Sequence, residues 1–357
     1  MRRRLTLVSH IDWGHIRQRP HHLATALAST FDVSVLAPVS RKRNQLVGNR
    51  SVGVRCRPIF RLPGSYRSAI VVSANGFLAS LQARASIRDA DVVIVTSPEL
   101  LPWVEPALGS RLLVYDCMDD ALAFAQDPRV RTLKERCEAR LLARADLVVC
   151  SSEELVARLR HRGARAERLA HIGNGWDPVA FPIEPSRDLP RTGPLELVYF
   201  GTLGSWIDAE ALRALVATVP DVFVRLIGPR DHPRLHAGER LTIEPPVTHD
   251  RLADATRTAH GFLLPFIVDD LTRAVEPVKL YEYMATGKPI LGARWPAIER
   301  FGDYVTFYDG AQDLAERVRS RSVVMPPSAA LREAFLREQS WSARAAALID
   351  AIQRLTQ

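Results

Sequence analysis

The sequence PVKLYEYMATGKPI, residues 277–290, decides the fold because it carries the start and stop signals of a helix and then a short strand. Proline suits the first turn of a helix, and a glycine followed by a proline ends one. These signals predict a helix over Val278–Ala285 and a strand over Ile290–Gly292. Another apolar run, Gly261–Pro265, precedes them, so the segment predicts a strand–helix–strand unit with parallel strands.

The same alternation continues in both directions along the chain. Further strands are predicted at Leu5–Ser9, Val33–Ala37, Val92–Thr96, Leu112–Tyr115, Leu147–Ser151, Leu197–Phe200, Val222–Ile227 and Leu241–Ile243. Further helices are predicted at Arg19–Ser29, Thr132–Ala145, Asp208–Ala217 and Trp341–Leu355. Short apolar strands that alternate with helices indicate an α/β protein with parallel sheets.

A proline-dense break divides this pattern, and the length of 357 residues suits two domains of about 100–200 residues each. We predict an N-terminal domain at 1–177, a proline-rich linker at 178–195, a C-terminal domain at 196–338 and a terminal helix at 339–357 that returns to the N-terminal domain. Both domains are expected to be Rossmann-like and doubly wound, and to face a cleft. Such sheets bind ligands at the carboxyl ends of their strands.

The charge distribution points to an anionic partner. The net charge is +8, and the stretch Ser34–Arg88 contains ten basic residues and no acidic one. The partner could be a membrane surface, contacted through residues 41–67, or a polyanionic substrate; a solvated basic surface is the alternative. This stretch offers few aromatic side chains for stacking on bases, which argues against a nucleic-acid partner. No apolar run reaches about 18 residues, which argues against a membrane-spanning helix.

Other patterns exclude several kinds of site. The four cysteines form no C-x-x-C pair, so we expect a reduced, cytoplasmic protein without a zinc ribbon. No GxGxxG follows the first strand, which disfavours a dinucleotide dehydrogenase. The acidic pair of residues 89–91 precedes its strand instead of following it, so we interpret it as a capping turn and not as a metal site.

The predicted helix of residues 278–285 has features of a ligand-binding site. Its unpaired N–H groups and positive dipole end suit a phosphate, and Lys279 adds a cation to the first turn. Glu282, one turn further on, could accept hydrogen bonds from sugar hydroxyls, as acidic residues do in nucleotide sites. An amphipathic surface helix with a single glutamate is the alternative interpretation.

Several segments of the sequence resemble a known family. Residues 277–290 resemble the nucleotide-sugar site of GT-B glycosyltransferases of the group 1 type. Segments with the same order and spacing resemble a bacterial surface-polysaccharide branch that includes teichuronic acid transferase-like proteins. These segments are Trp13 with RQRPHHLA (residues 17–24), YDCMDD (115–120), ADLVVCSS (145–152) and GNGWD (173–177).

The resemblance implies a metal-independent transfer of sugar from a UDP-, GDP- or TDP-sugar to a polysaccharide or lipid-linked acceptor, without a permanently bound cofactor. Glu282 matches the second glutamate of the family's E-x7-E motif, which binds ribose. The first glutamate falls at Ala274, and Glu276 lies two positions out of register. The donor-binding residues implied are Glu282, Lys279, Val278, Leu280, Val247, Gly201, Gly204 and Arg230.

The N-terminal domain is expected to bind the acceptor through Trp13, Gly14, Arg17, Arg19 and His21. An inverting transfer needs a general base near the acceptor hydroxyl, and the candidates are Asp119, Asp120 and Asp12. The alternatives are a helix cap for the aspartate pair, a surface position for His21 and salt bridges for the two arginines.

Two other functions remain open at this stage: a non-catalytic, degenerate GT-B scaffold and a nucleotide-sugar epimerase. The expected location is the cytoplasm, with peripheral attachment to the inner face of the plasma membrane. Residue patterns leave open the donor sugar, the base, the acceptor and whether the reaction retains or inverts the anomeric configuration.

Overall fold

The computed structural model describes residues 2–14, 16–38, 53–62, 69–125 and 127–355. The polypeptide forms two compact units. The first contains Met1–Asn174 and Trp341–Gln357, and the second contains Gly175–Ser340.

The described part of the first unit is built on seven strands. They are β1 (Arg4–Val8), β2 (Asp32–Pro38), β3 (Val54–Ile59), β4 (Val92–Val95), β5 (Leu112–Cys117), β6 (Leu147–Cys150) and β7 (Leu169–His171). They form one parallel sheet in the order β3-β2-β1-β4-β5-β6-β7. The strand order reverses between β1 and β4, and this switch point is where doubly wound sheets bind ligands.

Helices accompany this sheet: α1 (Arg19–Leu27), α2 (Ala69–Arg88), α3 (Leu101–Leu108), α4 (Pro128–Arg144) and α5 (Glu153–His161). Strands β4 and β6 are buried along their whole length, as expected for a parallel sheet covered on both faces. Helix α2 was not predicted, because its apolar residues do not repeat with a helical period.

The second unit repeats the plan. Its strands are β8 (Leu195–Phe200), β9 (Val222–Ile227), β10 (Leu241–Glu244), β11 (Gly261–Leu264), β12 (Ile290–Ala293) and β13 (Val305–Tyr308). Its helices are α6 (Ala209–Thr218), α7 (Leu252–Ala255), α8 (Val278–Ala285), α9 (Gly310–Ser320) and α10 (Ala329–Glu338). The parallel strand order is β10-β9-β8-β11-β12-β13, with its switch point between β8 and β11.

The last helix, α11 (Trp341–Arg354), belongs to the first unit and packs on α1. The rings of His22 and Trp341 stack there, with centroids 4.7 Å apart and planes 5° apart. The predicted α/β class, with two Rossmann-like sheets and a terminal helix that joins the first unit, is confirmed.

The proline-rich segment differs from its prediction as a linker. It lies within the second unit, whose core buries Phe181 and Leu189. Proline density therefore marks an irregular segment here, while the apolar residues between the prolines attach it to the core. The units divide at Gly175 and after Ser340.

Candidate active site

The helix α8 places Lys279 and Glu282 beside the carboxyl end of β8. Lys279 lies in the first turn, with its ammonium 5.0 Å from the ring centroid of Tyr199 and 5.6 Å from that of Phe266. Among the described residues it has no acidic partner and no hydrogen bond. The backbone N–H groups of Val278 and Lys279 likewise have no partner there. A cation and two amide donors therefore converge at one helix end, as an anion site requires.

Two glycines allow this approach. A Cβ on Gly201, whose φ is +124°, would lie 2.8 Å from Cε of Lys279. A Cβ on Gly228 would lie 2.0 Å from the carbonyl oxygen of Gly201. The loop after β8 thus depends on glycine to pass close to both the lysine and the loop after β9.

The other end of α8 is held by a buried arginine. Arg332, on α10, donates hydrogen bonds to the carbonyl oxygens of Met284 and Ala285 at 2.8 and 3.0 Å. The same oxygens also accept the backbone N–H groups of Gly287 and Glu184, at 3.2 and 2.9 Å, so the last carbonyls of the helix are fully paired. Gly287 follows with φ +68°, as the sequence predicts for a terminating glycine. The helix that carries Lys279 and Glu282 is therefore fixed at its far end.

The loops after β8 and β9 lie side by side. Leu203 and Arg230 form a parallel bridge, so Gly204 follows directly beside Arg230. A Cβ on Gly204 would meet the ring of Trp206 at 2.4 Å, because the indole packs against this glycine. Arg230 is exposed and has no acidic partner among the described residues. It remains a candidate cation at this sheet edge.

Glu282 is paired with a residue that sequence analysis missed. Its Oε1 lies 2.6 Å from Nε2 of His249, and both side chains are largely buried, at 5% and 9% exposure. His249 follows Val247, one of the donor-binding residues that the resemblance implies, by two residues. A lone histidine in a loop gives no sequence signal for such a pairing.

The expectation that Leu280 binds the donor is wrong, and the out-of-register Glu276 has another role. Leu280 does not line a donor pocket: its side chain is fully buried in the core, and its N–H donates to Pro277. Glu276 does not replace the missing acid at Ala274, because it is buried and bound by Arg300 at 2.8 Å and the Tyr281 hydroxyl at 2.6 Å. Ala274 is itself buried.

In the first unit, the loop after β1 is tightly organised. Asp12 Oδ1 accepts the N–H of Gly14 at 3.0 Å, and the indole of Trp13 stacks on the imidazole of His21 at 4.1 Å. Nδ1 of His21 accepts the N–H of Gln18 at 3.2 Å, so Nε2 carries the proton and donates to the Trp13 carbonyl. His21 is fully buried and caps α1. The structure therefore gives it a structural role instead of the predicted acceptor contact.

The two arginines predicted to bind the acceptor differ. Arg19 is 1% exposed and forms a forked pair with Asp116, at 3.0 Å from Nε and 2.9 Å from Nη2 to Oδ1, while Nη1 donates to Gly173. It is fully occupied, so its assignment to the acceptor is wrong. Arg17 is half-buried, and its Nε is buried without a partner among the described residues. Arg17 is thus the cation available near the loop of residues 12–14.

The aspartate pair also separates into two roles. Asp120 is 1% exposed, receives hydrogen bonds from Arg158 and Arg162 at 2.9 and 2.7 Å, and accepts the N–H of Leu122. Burial would raise the pKa of Asp120, but the hydrogen bonds from the two arginines outweigh it and lower that pKa. A fully bonded carboxylate of lowered pKa is a poor base, so Asp120 is structural. Asp119 is half-buried and remains a candidate for the general base.

A second polar cluster at the switch point of the first sheet was not predicted. His10 Nδ1 lies 2.9 Å from the Thr96 hydroxyl, and Glu99 is 3.4 Å from Nζ of Lys134. Burial lowers the pKa of His10 to about 4, although Glu99 opposes the shift. The imidazole is therefore neutral near pH 7. His10 and Thr96 lie at the carboxyl ends of β1 and β4, a position that only the strand order reveals.

Within the residues described, no group of three or more His, Cys, Asp or Glu side chains could hold a metal ion. In the acidic pair of residues 89–91, Asp91 Oδ2 accepts the N–H of Arg4 at 2.7 Å, at the start of β1. No helix in the described ranges is long and apolar enough to cross a membrane.

Comparison with known proteins agrees with this arrangement. The family model "Glycosyl transferase 4-like domain" matches residues 14–175, and "Glycosyl transferase-like" matches residues 208–350. The chain is 23% identical over 326 residues to TuaH of Bacillus subtilis (strain 168), covering 82% of this chain and 81% of that protein. The name of TuaH assigns it provisionally to teichuronic acid biosynthesis as a glycosyltransferase.

Solved structures share the fold. Sucrose-phosphate synthase from Thermosynechococcus elongatus superposes with a TM-score of 0.77 at 16% identity, over 99% of both chains. HepE from Anabaena, solved with UDP and glucose, gives a TM-score of 0.70 at 16% identity, over 98% of this chain and 99% of that one. Two glycosyltransferase family models match this chain, and both of its sheets have doubly wound strand orders. This chain belongs to the group 1 glycosyltransferases of the GT-B fold.

Proposed function

We propose that the second unit binds the diphosphate of a nucleotide sugar at the start of α8 and its ribose at Glu282. The observation that carries this proposal is the unpaired ammonium of Lys279, which lies over Gly201 beside two free amide groups. Sugar transfer develops negative charge on the leaving diphosphate, and fixed donors aimed at that charge lower the barrier. Because these groups supply the positive charge, the transfer needs no metal ion.

UDP is the first nucleotide to test, since HepE was solved with UDP and with UDP-glucose. Val247 and its loop would contact the base, and Gly204 and Arg230 would flank the phosphates. The name of TuaH supports a surface polysaccharide, or its lipid-linked precursor, as the acceptor. We assign acceptor binding to Trp13, Gly14 and Arg17.

The general base is needed only if the transfer inverts the anomeric configuration. Asp119 and Asp12 are the remaining candidates among the three aspartates that sequence analysis selected. Asp12 already accepts a backbone N–H and is largely buried, whereas Asp119 is half-buried. Asp119 is therefore the stronger candidate for the general base.

We place the protein in the cytoplasm, where nucleotide sugars are available to it.

A transfer assay tests the proposed function. UDP-, GDP- and TDP-sugars are each incubated with the protein and a lipid-linked or polysaccharide acceptor fraction, with and without EDTA. We expect acceptor-dependent release of one nucleoside diphosphate, unchanged by EDTA and lost in Glu282→Ala. Isomerisation of the sugar without an acceptor would instead indicate an epimerase, and binding without turnover would indicate a scaffold.

We also propose that the first unit attaches to an anionic membrane surface. Five large apolar side chains are exposed on α2 and on the segment beside it: Phe60, Leu62, Phe77, Leu78 and Leu81. Asn75 and Gln82 of α2 exchange hydrogen bonds with the backbone of Leu62 and Phe60, which brings the two segments together. We call these five residues the docking patch.

Basic side chains continue the docking patch along α2. Arg84 and Arg88 are exposed and follow Phe77 and Leu81 at helical spacing, so all four share one stripe of the helix. Apolar and cationic groups side by side suit the interface of an anionic bilayer. Of the other basic residues in the acid-free stretch, Arg55, Arg57 and Arg61 are described. The other five lie outside the described residues: Arg41, Lys42, Arg43, Arg50 and Arg67.

Reversing the charge of Arg84 and Arg88 tests this attachment. Each basic residue near an anionic surface contributes about 1 kcal/mol, so Arg84→Glu/Arg88→Glu should weaken partitioning onto phosphatidylglycerol vesicles by about thirtyfold or more. The control, Arg213→Glu/Arg337→Glu, changes the same charge on exposed arginines of the second unit. Equal effects of the two pairs in a vesicle sedimentation assay, or none from either, would contradict a specific docking patch.

A further inference from the structure

The side chains of His249 and Glu282 form a short contact that the proposed function does not use. Nε2 of the imidazole lies 2.6 Å from Oε1 of the carboxylate, and neither side chain is more than 9% exposed. A carboxylate only accepts hydrogen bonds, so Nε2 carries the proton and donates it. Charge-assisted hydrogen bonds are shorter and stronger than hydrogen bonds between two neutral groups.

The imidazole is itself held in place. The ring of Phe181 meets it edge-on, with centroids 5.7 Å apart and planes at 61°. Phe181 is 1% exposed and packs on Phe200 at the end of β8. His249 also begins a 3-10 helix, His249–Arg251, which follows the segment of Val247. The ring therefore has little freedom to turn away from Glu282.

The pairing leaves one carboxylate oxygen for a ligand. Oε2 of Glu282 has no hydrogen-bond partner among the described residues, whereas Oε1 is occupied by His249. A carboxylate held at one oxygen by a fixed donor presents the other in a defined direction. Donors in a ligand, such as the hydroxyls of a ribose, would meet a group that needs no reorientation on binding.

We infer that His249 is a positioning residue, which orients Glu282 toward the ribose hydroxyls and so makes the site selective for ribonucleotides. The inference rests on the proposed binding of a nucleoside diphosphate at α8. His249 would connect the loop of Val247, which contacts the base, with Glu282, which contacts the ribose. His249 itself need not touch the ligand.

Calorimetric titration with UDP and 2′-deoxy-UDP tests the inference in His249→Ala and His249→Gln, with Glu282→Ala as the reference. Loss of one charge-assisted hydrogen bond corresponds to about tenfold or more in affinity. His249→Ala should weaken UDP binding by about that factor, leave 2′-deoxy-UDP binding nearly unchanged, and so reduce the preference for ribose. His249→Gln, which keeps an N–H donor, should retain part of the preference.

The controls distinguish the role of His249 from the proposed donor site. In the double variant with Glu282→Ala, His249→Ala should add little further loss, because the carboxylate it orients is gone. An unchanged ribose preference in His249→Ala, while Glu282→Ala abolishes that preference, would overturn the role of His249 alone. No effect of Glu282→Ala on either nucleotide would instead overturn the proposed donor site.

Discussion

Replacing Lys279 with methionine is expected to raise the dissociation constant for the nucleoside diphosphate by about tenfold to a hundredfold, since hydrogen bonds to charged groups contribute about 1.5–3 kcal/mol. The ammonium has no acidic partner to compensate it among the described residues and lies only over the rings of Tyr199 and Phe266. Methionine retains the apolar stem that packs there, so only the charge is removed. The free energy of unfolding should therefore change little.

Lys288 provides the matched control. It is 3% exposed, and its Nζ donates to the carbonyl oxygens of Thr256 and Arg257 at 3.0 and 2.8 Å. Burial lowers the pKa of Lys288, and the carbonyl groups satisfy its donors. Lys288→Met should lower the free energy of unfolding and leave nucleotide affinity nearly unchanged. The same loss of affinity in both variants, or a loss of stability in Lys279→Met alone, would contradict the assignment of the diphosphate to Lys279.

Asp116→Asn is expected to lower the free energy of unfolding by about 3–5 kcal/mol, because it leaves the buried guanidinium of Arg19 without its counter-charge. Both side chains of the pair are 1% exposed. Arg19 also donates to the carbonyl of Gly173 at 2.8 Å, so the pair links α1, the end of β5 and the segment that follows β7. The change is measured by denaturant unfolding.

Asp32→Asn is the control for that experiment. Asp32 pairs with Arg55 at 2.6 Å, but the two side chains are 42% and 63% exposed. Exposed pairs of this kind contribute about 1 kcal/mol or less. If Asp116→Asn destabilises the protein no more than Asp32→Asn, Arg19 is not committed to the fold and its assignment to the acceptor regains support.

The sequence predicts the fold well because its signals are local. Proline and glycine at the ends of the segment around Lys279, and short apolar strands between helices, are enough to indicate two parallel sheets. The error over residues 178–195 arose because proline density says nothing about Phe181, which the core of the second unit buries. Contacts between distant segments decide whether an irregular segment is a linker.

The candidate site is less predictable from sequence for the same reason. Lys279 could be selected from sequence because a cation in the first turn of a helix, at the positive end of the dipole, indicates an anion site. Arg19 and Asp120 could not be recognised as structural, since their partners, Asp116 and Arg162, are distant in sequence or on other elements. His10 and His249 gained significance only when the strand order and packing placed Thr96 and Glu282 beside them.

The proposed function depends on the binding of a nucleoside diphosphate to the second unit through Glu282 and Lys279. It is tested most directly by titrating UDP, GDP, ADP and TDP into the wild-type protein and into Glu282→Ala in a calorimeter. We expect one of these nucleotides to bind the wild-type protein and Glu282→Ala to weaken this binding by about tenfold or more. Binding of none of the four, or equal affinity in the variant, would contradict it.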